Sequence, residues 1–174
     1  RSEEATANLQ RAVQIAEESG DASALGLFLY NLGWVYLNSQ RTEAAAPYFK
    51  RSARVSQSLS LPIRELAALN NLGSIHPSRG EWEKAKACFV RSLEISRELN
   101  SLRFRAMSAF NFAVILAREK QHQEAALLLD EALSIYEDDG STPFMDSEKK
   151  ILRQKALLLL QFINSQARQH IVSP

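Results

Sequence analysis

The chain has 174 residues, with 21 Lys or Arg against 20 Asp or Glu, so its formal net charge is +1. This balance argues against a nucleic-acid-binding domain, because such domains usually carry a strong basic excess. Hydrophobic residues make up 45% of the chain and glycine and proline are few, which excludes a collagen-like or disordered chain. No apolar run approaches the roughly 18 residues that would suggest a membrane span. The single cysteine, Cys88, cannot form an internal disulfide, which fits a reducing compartment and favours a cytoplasmic location.

One set of residues recurs every 40 positions. In each copy an alanine is followed four residues later by a large apolar side chain. The columns are Ala5, Ala45, Ala85 and Ala125, and Leu9, Phe49, Phe89 and Leu129. Spacings of three and four residues place such side chains on one face of a helix, which we name helix B of the repeat.

A second recurring set lies ahead of helix B and predicts a helix A. It consists of Asn31-Leu32-Gly33, Asn71-Leu72-Gly73 and Asn111-Phe112-Ala113. Glycine inside a helix costs about 1 kcal/mol relative to alanine, so close packing must offset the cost. We therefore expect the small residue of helix A to mark its crossing with the alanine of helix B.

In chain order, the pattern predicts helix B at about residues 2–19 and then A and B pairs over 21–59, 61–99 and 101–138. A further long helix is predicted over 146–168, and no strand is predicted. Gly20, Ser60, Asn100 and Gly140 follow the B helices. Gly and Asn tolerate the left-handed conformation that ends a helix, whereas Ser60 is expected to cap the next one.

Proline at position 77 is expected to end or kink the second A helix one turn early. Its ring crowds the carbonyl of Gly73 and it has no amide hydrogen to donate. Overall, the sequence predicts an all-α solenoid of helical hairpins. Its predicted domains are a repeat array over 1–138, with a half repeat 1–20 and full repeats 21–60, 61–100 and 101–140, and a capping helix over 145–170. A leading half repeat suggests a piece of a longer array.

At these columns the chain resembles the tetratricopeptide repeat family. The matching residues are Tyr30-Asn31-Leu32-Gly33, Tyr36, Ala45, Phe49 and Ser52 in the first full repeat, with Asn71-Leu72-Gly73, Gly80, Trp82, Ala85, Phe89 and Ser92, and Asn111-Phe112-Ala113, Ala125, Leu129 and Ala132, in the next two. The family period is usually about 34 residues, and the longer pairs here are similar to those of bacterial signal-responsive regulators, kinesin light chains and spindle-orientation scaffolds. The resemblance implies a right-handed superhelix that binds proteins or peptides without catalysis.

The A helices of such an array line its concave face, so residues beside the inward-turned Leu32, Leu72 and Phe112 are expected to form a partner-binding groove. An Asn amide offers donors and acceptors that can hold a peptide backbone, although the three Asn residues can instead fix the stacking of repeats. Tyr30 and Trp34 are candidate aromatic anchors, with packing between repeats as the alternative for Tyr30. The predicted groove residues are Tyr30, Asn31, Trp34, Asn38, Asn70, Asn71, Ser74, Phe110, Asn111 and Arg118.

No catalytic or metal-binding set is recognisable in the sequence. His76, His122 and His170 lie far apart and lack metal-ligand spacing beside Cys88, so we expect no metal, no cofactor and no enzyme activity. The predicted function is protein or peptide binding within a larger regulatory or scaffold protein. The main alternative is self-association or autoinhibition through the repeat ends or the apolar C-terminal helix. A small-molecule sensor or enzyme, and nucleic-acid binding, are weaker alternatives.

Overall fold

The fold is all-helical, as the sequence predicts. A computed structural model describes residues 2–137 and 146–172, and these contain eight α-helices and no β-strand. The helices are α1 (Ser2–Ser19), α2 (Ala22–Asn38), α3 (Thr42–Ser58), α4 (Pro62–Ile75), α5 (Trp82–Glu98), α6 (Leu102–Arg118), α7 (His122–Glu137) and α8 (Asp146–Val172). Helices α2, α4 and α6 are the predicted A helices, and α1, α3, α5 and α7 are the B helices. The chain divides into two compact units, Arg1–Ile95 and Ser96–Pro174, hereafter unit 1 and unit 2.

In the described part of the chain, a left-handed residue lies in the turn after each of the helices α1 to α6. Positive φ angles between 52° and 71° occur at intervals of 20 residues, at Gly20, Gln40, Ser60, Gly80, Asn100 and Lys120. After each of these turns except the first, the next residue donates its amide to a carbonyl five positions earlier, as Arg41 N does to Tyr36 O at 2.9 Å, and these bonds satisfy carbonyls at a helix end. The expectation for Ser60 was wrong, because Ser60 itself takes the left-handed conformation and Leu61 precedes α4 with no side-chain cap. Gly140 lies outside the described residues.

Phenylalanine rings fill the space that the A-helix glycines leave in unit 1. A Cβ atom on Gly33 would lie 2.9 Å from the ring of Phe49, and one on Gly73 would lie 2.8 Å from the ring of Phe89. Both distances are too short for real carbon contacts, so only glycine fits beneath each ring. The predicted close crossing of helices A and B is therefore confirmed in both repeats of unit 1, although the side chain nearest to each glycine is the phenylalanine and not the predicted alanine.

Unit 2 contains the same crossing with different side chains. Ala113 of α6 and Leu129 of α7 are both fully buried in one apolar cluster with Ala125. The branched Leu129 side chain is smaller than a phenyl ring, so it leaves room for the Cβ of Ala113. Helix α8 adds Ala156 and Ile163 to this cluster.

Helix α4 ends early at Pro77, as predicted. It stops at Ile75 and continues as a short 3-10 helix over His76–Arg79, whereas α2 and α6 each run for 17 residues. In the turn that follows, the carboxylate of Glu81 accepts a hydrogen bond from His76 Nδ1 at 2.6 Å.

A buried polar contact joins helices A and B of the first full repeat, because Ser52 Oγ donates to the carbonyl of Gly26 at 2.8 Å.

Candidate protein-binding surface

Two A helices of unit 1 present a hydrogen-bonded group of aromatic and amide side chains. Trp34 Nε1 donates to Tyr30 Oη at 2.8 Å along α2, and Asn71 Nδ2 of α4 donates to the same oxygen at 3.4 Å. Tyr30 and Asn71 are half-buried, while Trp34 is 40% exposed. We call these three residues the A-face cluster. The structure thus brings together three predicted groove residues that lie up to 41 positions apart in the sequence.

Packing beneath the A-face cluster fixes its geometry. The ring of Tyr30 meets that of Phe49 edge-to-face, with centroids 5.7 Å apart and an interplanar angle of 65°. Asn71 Nδ2 also donates to the carbonyl of Ala67 at 3.1 Å, one turn earlier in α4. The aromatic ring and the amide are therefore held before any partner arrives, which lowers the entropic cost of binding.

The hydrogen-bond directions leave defined groups for a partner. Tyr30 Oη accepts from both Trp34 and Asn71, so its own hydroxyl hydrogen remains a donor. Asn71 uses Nδ2 for its two bonds to Tyr30 and Ala67, and its carbonyl oxygen Oδ1 is an acceptor. A donor and an acceptor side by side match the two polar groups of a peptide backbone.

Other predicted residues of unit 1 differ in their exposure. Asn31 is half-buried, and Asn38 and Ser74 are exposed, with Ser74 Oγ donating to the carbonyl of Asn70 at 3.0 Å. Asn70 departs from the prediction, because only 4% of it is exposed. Its amide donates to Ser92 Oγ on α5 and to the carbonyl of Leu66. Asn70 therefore joins helices inside the second repeat rather than lining an open surface.

The remaining predicted residues lie on α6 in unit 2. Phe110 is half-buried against the apolar cluster of that unit, Asn111 is half-buried, and Arg118 is exposed near the end of the helix. Phe110 thus contributes to packing as well as to the surface. Of the three Asn residues at the recurring position, only Asn71 belongs to the A-face cluster.

Sequence reasoning missed the ion pair between the buried Glu65 of α4 and the partly exposed Arg91 of α5. Glu65 is only 6% exposed, and its carboxylate accepts from Arg91 Nε at 3.2 Å. This contact raises the pKa of Arg91 above its ordinary value, chiefly through the hydrogen bond to Glu65. The two residues lie 26 positions apart, the same offset that separates Gly26 from Ser52.

Neighbouring polar groups lower the pKa of the Glu81 carboxylate, which lies directly before α5. Hydrogen bonds from Lys84 and His76 lower the pKa of Glu81 from 4.5 to about 2. Burial raises the pKa of the Cys88 thiol to about 11. No group of three or more His, Cys, Asp or Glu side chains suited to a metal ion occurs in the part of the chain that the structure describes. Within the described ranges, no helix has the length and apolarity that crossing a bilayer requires.

The repeat pattern and the hairpin geometry define a helical-repeat protein of the kind built from paired A and B helices. Two family models described as tetratricopeptide repeat match the chain, one over residues 64–138 and the other over residues 28–58. The chain belongs to the tetratricopeptide repeat family. Members of this family generally act as protein-interaction modules, and the fold is typically non-catalytic.

One curated relative is the human antiviral innate immune response effector IFIT1, which is 27% identical over 151 residues. The match covers 80% of this chain, and the chain spans about a third of that relative, since the match covers 32% of it.

Three solved structures share the fold. The apo form of RapI has a TM-score of 0.76 and 21% identity, with 96% of this chain and 44% of that chain covered. BtubC (BKLC) from P. vanneervenii has a TM-score of 0.64 and 16% identity, with 100% and 94% covered. MamA protein has a TM-score of 0.53 and 15% identity, with 95% and 93% covered.

Proposed function

We propose that this chain binds an extended segment of a partner protein on its A helices, as part of a larger regulatory or scaffold protein and without catalysis. The observation that carries the proposal is the A-face cluster, in which Tyr30 Oη accepts hydrogen bonds from Trp34 and from Asn71 of the next repeat. The cluster offers an apolar aromatic surface beside one donor and one acceptor. These are the groups that an extended peptide requires for its side chains and its backbone.

Neighbouring residues extend this surface along the A helices. Leu27 of α2 is 40% exposed and lies one turn before Tyr30, and Ser74 is exposed one turn after Asn71. Asn31 and Asn38 add amides on α2. We propose the corresponding face of α6, with Asn111 and Arg118, as a contact region of unit 2. We place this binding in the cytoplasm, because the one cysteine is a buried free thiol.

The direct test selects ligands from a displayed library of random peptides and measures their affinity by fluorescence anisotropy. Trp34→Ala is expected to weaken binding by at least about thirtyfold, since truncating an aromatic anchor costs about 2 kcal/mol or more. Asn71→Ala is expected to weaken binding while leaving the helicity unchanged. Leu127→Ala is the matched control, because Leu127 is 70% exposed on α7, a B helix.

Equal affinities of the selected peptides for the wild-type protein and both A-face variants would contradict the proposal. If Asn71→Ala lowers the helicity instead, then Asn71 fixes the stacking of repeats and the binding role of its amide is wrong. Circular dichroism on the same samples distinguishes these results.

A specific observation favours self-association as a second candidate function. Ile151, Leu158 and Phe162 of α8 are each more than 50% exposed and follow one another at spacings of seven and four residues. Such spacings place them on one face of the helix, where a second helix can cover them. Light scattering over a range of concentrations tests this, and Leu158→Gln is expected to abolish any rise in mass. A constant monomeric mass would exclude it.

A further inference from the structure

A furrow runs between the two B helices α3 and α5 of unit 1, away from the A-face cluster. It consists of two adjoining clefts of about 520 and 180 Å³, which share Lys50 and Leu72 as lining residues. The larger volume lies within the range of about 300–1,000 Å³ that is usual for ligand pockets. We call this feature the basic furrow. Its basic side chains are Lys50, Arg54, Arg79, Lys84 and Arg91.

Small side chains and the interrupted α4 make room for the furrow. Ala46 of α3 and Ala87 and Cys88 of α5 line the larger cleft, Ala53 of α3 lines the smaller one, and Leu72 of α4 lines both, which makes the floor of the furrow apolar. The lining residues of α3 are 46, 47, 50, 53, 54 and 57, and those of α5 are 84, 87, 88 and 91, so they recur at the helical spacings that place them on one face of each helix. Because Pro77 ends the α-helical part of α4, the 3-10 helix that carries Arg79 forms one end of the furrow.

The furrow concentrates positive charge in a chain whose formal net charge is only +1. Its five basic side chains face two carboxylates, those of Glu65 and Glu81. Both carboxylates are already bonded, Glu65 to Arg91 at 3.2 Å and Glu81 to Lys84 at 2.9 Å. Among the described residues, Lys50, Arg54 and Arg79 form no ion pair. Lys50 and Arg54 therefore have no carboxylate partner, and Arg79 acts on Glu81 only through its charge, while that carboxylate is already bonded to Lys84 and His76.

We propose that the basic furrow binds an acidic segment of a partner protein, with carboxylates against Lys50, Arg54 and Arg79 and an apolar side chain on the floor. Its basic side chains lie on α3, α5 and the 3-10 helix, so this site differs from the A-face cluster in chemistry and, apart from α4, which contributes to both, in helices. An acidic peptide fits better than a nucleic acid, because single-stranded nucleic acids stack their bases on aromatic side chains. The residues that line the two clefts include no Phe, Tyr or Trp.

The test measures the anisotropy of a labelled peptide in which leucines alternate with glutamates. The triple variant Lys50→Gln, Arg54→Gln and Arg79→Gln is expected to weaken binding by about tenfold. It removes three exposed ion pairs with the peptide, and each such pair contributes a few tenths of a kcal/mol. The control triple variant Arg11→Gln, Lys120→Gln and Lys150→Gln makes the same change in net charge with exposed residues outside the furrow. It is expected to bind as the wild-type protein does.

Further comparisons separate the contributions of charge and floor. A peptide with glutamine in place of glutamate is expected to lose binding, and one with serine in place of leucine is expected to bind more weakly. Ala87→Glu places a negative charge on the exposed edge of the floor, so it is expected to abolish binding of the acidic peptide. Trp34→Ala is expected to leave this binding unchanged, which makes failure of the furrow distinguishable from failure of the A-face site.

Three results would overturn the proposal. The first is no binding of the acidic peptide by the wild-type protein. The second is an equal loss in the control triple variant, which would show only an effect of net charge. The third is tighter binding of a single-stranded oligonucleotide that the furrow variant abolishes, because it would assign the furrow to nucleic acid.

Discussion

Replacement of Gly33 by alanine is expected to destabilise unit 1 unless the ring of Phe49 is shortened at the same time. The new Cβ would lie 2.9 to 3.0 Å from three atoms of that ring. Phe49 is fully buried, so the ring cannot turn into solvent. Overpacking of this kind costs about 1–3 kcal/mol, and the better helix propensity of alanine returns about 1 kcal/mol. The expected net loss for Gly33→Ala is therefore about 1 kcal/mol.

The second substitution of a double-mutant cycle with Gly33→Ala is Phe49→Leu. On its own it leaves part of the ring volume empty above Gly33, and we expect a loss of about 2 kcal/mol. The double variant copies the pair found in unit 2, where Ala113 and Leu129 are both fully buried. Its Cβ then fills space that the ring has vacated, so the loss is expected to fall at least about 1 kcal/mol below the sum of the two single losses.

Urea unfolding followed by circular dichroism measures the three free energies. The control pair is Gly33→Ala with Phe89→Leu, since the ring of Phe89 covers Gly73 rather than Gly33. Losses in this control are expected to add within about 0.5 kcal/mol. Additive losses in the Gly33 and Phe49 cycle as well would refute the reasoning that glycine is required there by the ring.

Three further predictions concern polar groups of unit 1. Ser52→Ala removes the bond to the Gly26 carbonyl and is expected to lower the free energy of unfolding by about 1 kcal/mol. Ser58→Ala, at an exposed helix end, serves as its control, and equal losses would contradict the prediction.

Because the pKa of Glu81 is lowered, its stabilising effect is present above pH 4.5 and is lost as the pH falls toward about 2. The difference in thermal midpoint between the wild-type protein and Glu81→Gln should therefore shrink as the pH falls from 4.5 to about 2. A difference that stays constant over this pH range would refute the prediction. The raised pKa of Cys88, from 9.0 to about 11, implies about 100-fold less thiolate near neutral pH. Its reaction with a disulfide reagent should be at least that much slower than in urea, and comparable rates would exclude the effect.

The period of the sequence predicts the helices but only part of the turn chemistry. Gly20 and Asn100 suit the left-handed conformation by residue type, whereas Gln40, Ser60 and Lys120 adopt it with φ between 53° and 63°. Each of these residues lies where a hairpin must reverse within a few residues. The tight turn therefore decides the conformation there, and the intrinsic preference of the residue does not. The expectation for Ser60 failed because it considered residue type alone.

The candidate site could be predicted in outline, and its details depend on neighbours. Columns 31, 71 and 111 all hold asparagine, yet only Asn71 bonds to Tyr30. The position before Asn31 is Tyr30 and the position before Asn71 is Asn70, so equivalent amides meet different surroundings. Asn70 points toward Ser92 on α5, and that direction depends on the rotation of two helices about their axes. A repeat pattern fixes that rotation only to within a residue or so.

The basic furrow could not be predicted because its residues do not cluster in the sequence. Lys50 and Arg91 lie 41 positions apart, and the basic residues between them are spread over α3, α4, the 3-10 helix and α5. The cations come together because α3 and α5 occupy equivalent positions in successive repeats, so their exposed faces are neighbours.

The two proposed surfaces follow from opposite uses of the repeat. On the A helices, the recurring asparagine supplies an amide at a constant position, and differences between repeats decide which amide joins the aromatic side chains. On the B helices, small residues such as Ala46 and Ala87 leave space, and the unmatched cations Lys50 and Arg54 fill its rim with charge. Binding on the A face is therefore expected to depend weakly on salt, since the A-face cluster carries no charge. Binding in the furrow is expected to weaken steeply as salt screens exposed charges. A salt titration of both ligands on one preparation separates the two surfaces without any substitution, and identical salt dependence would contradict the assignment.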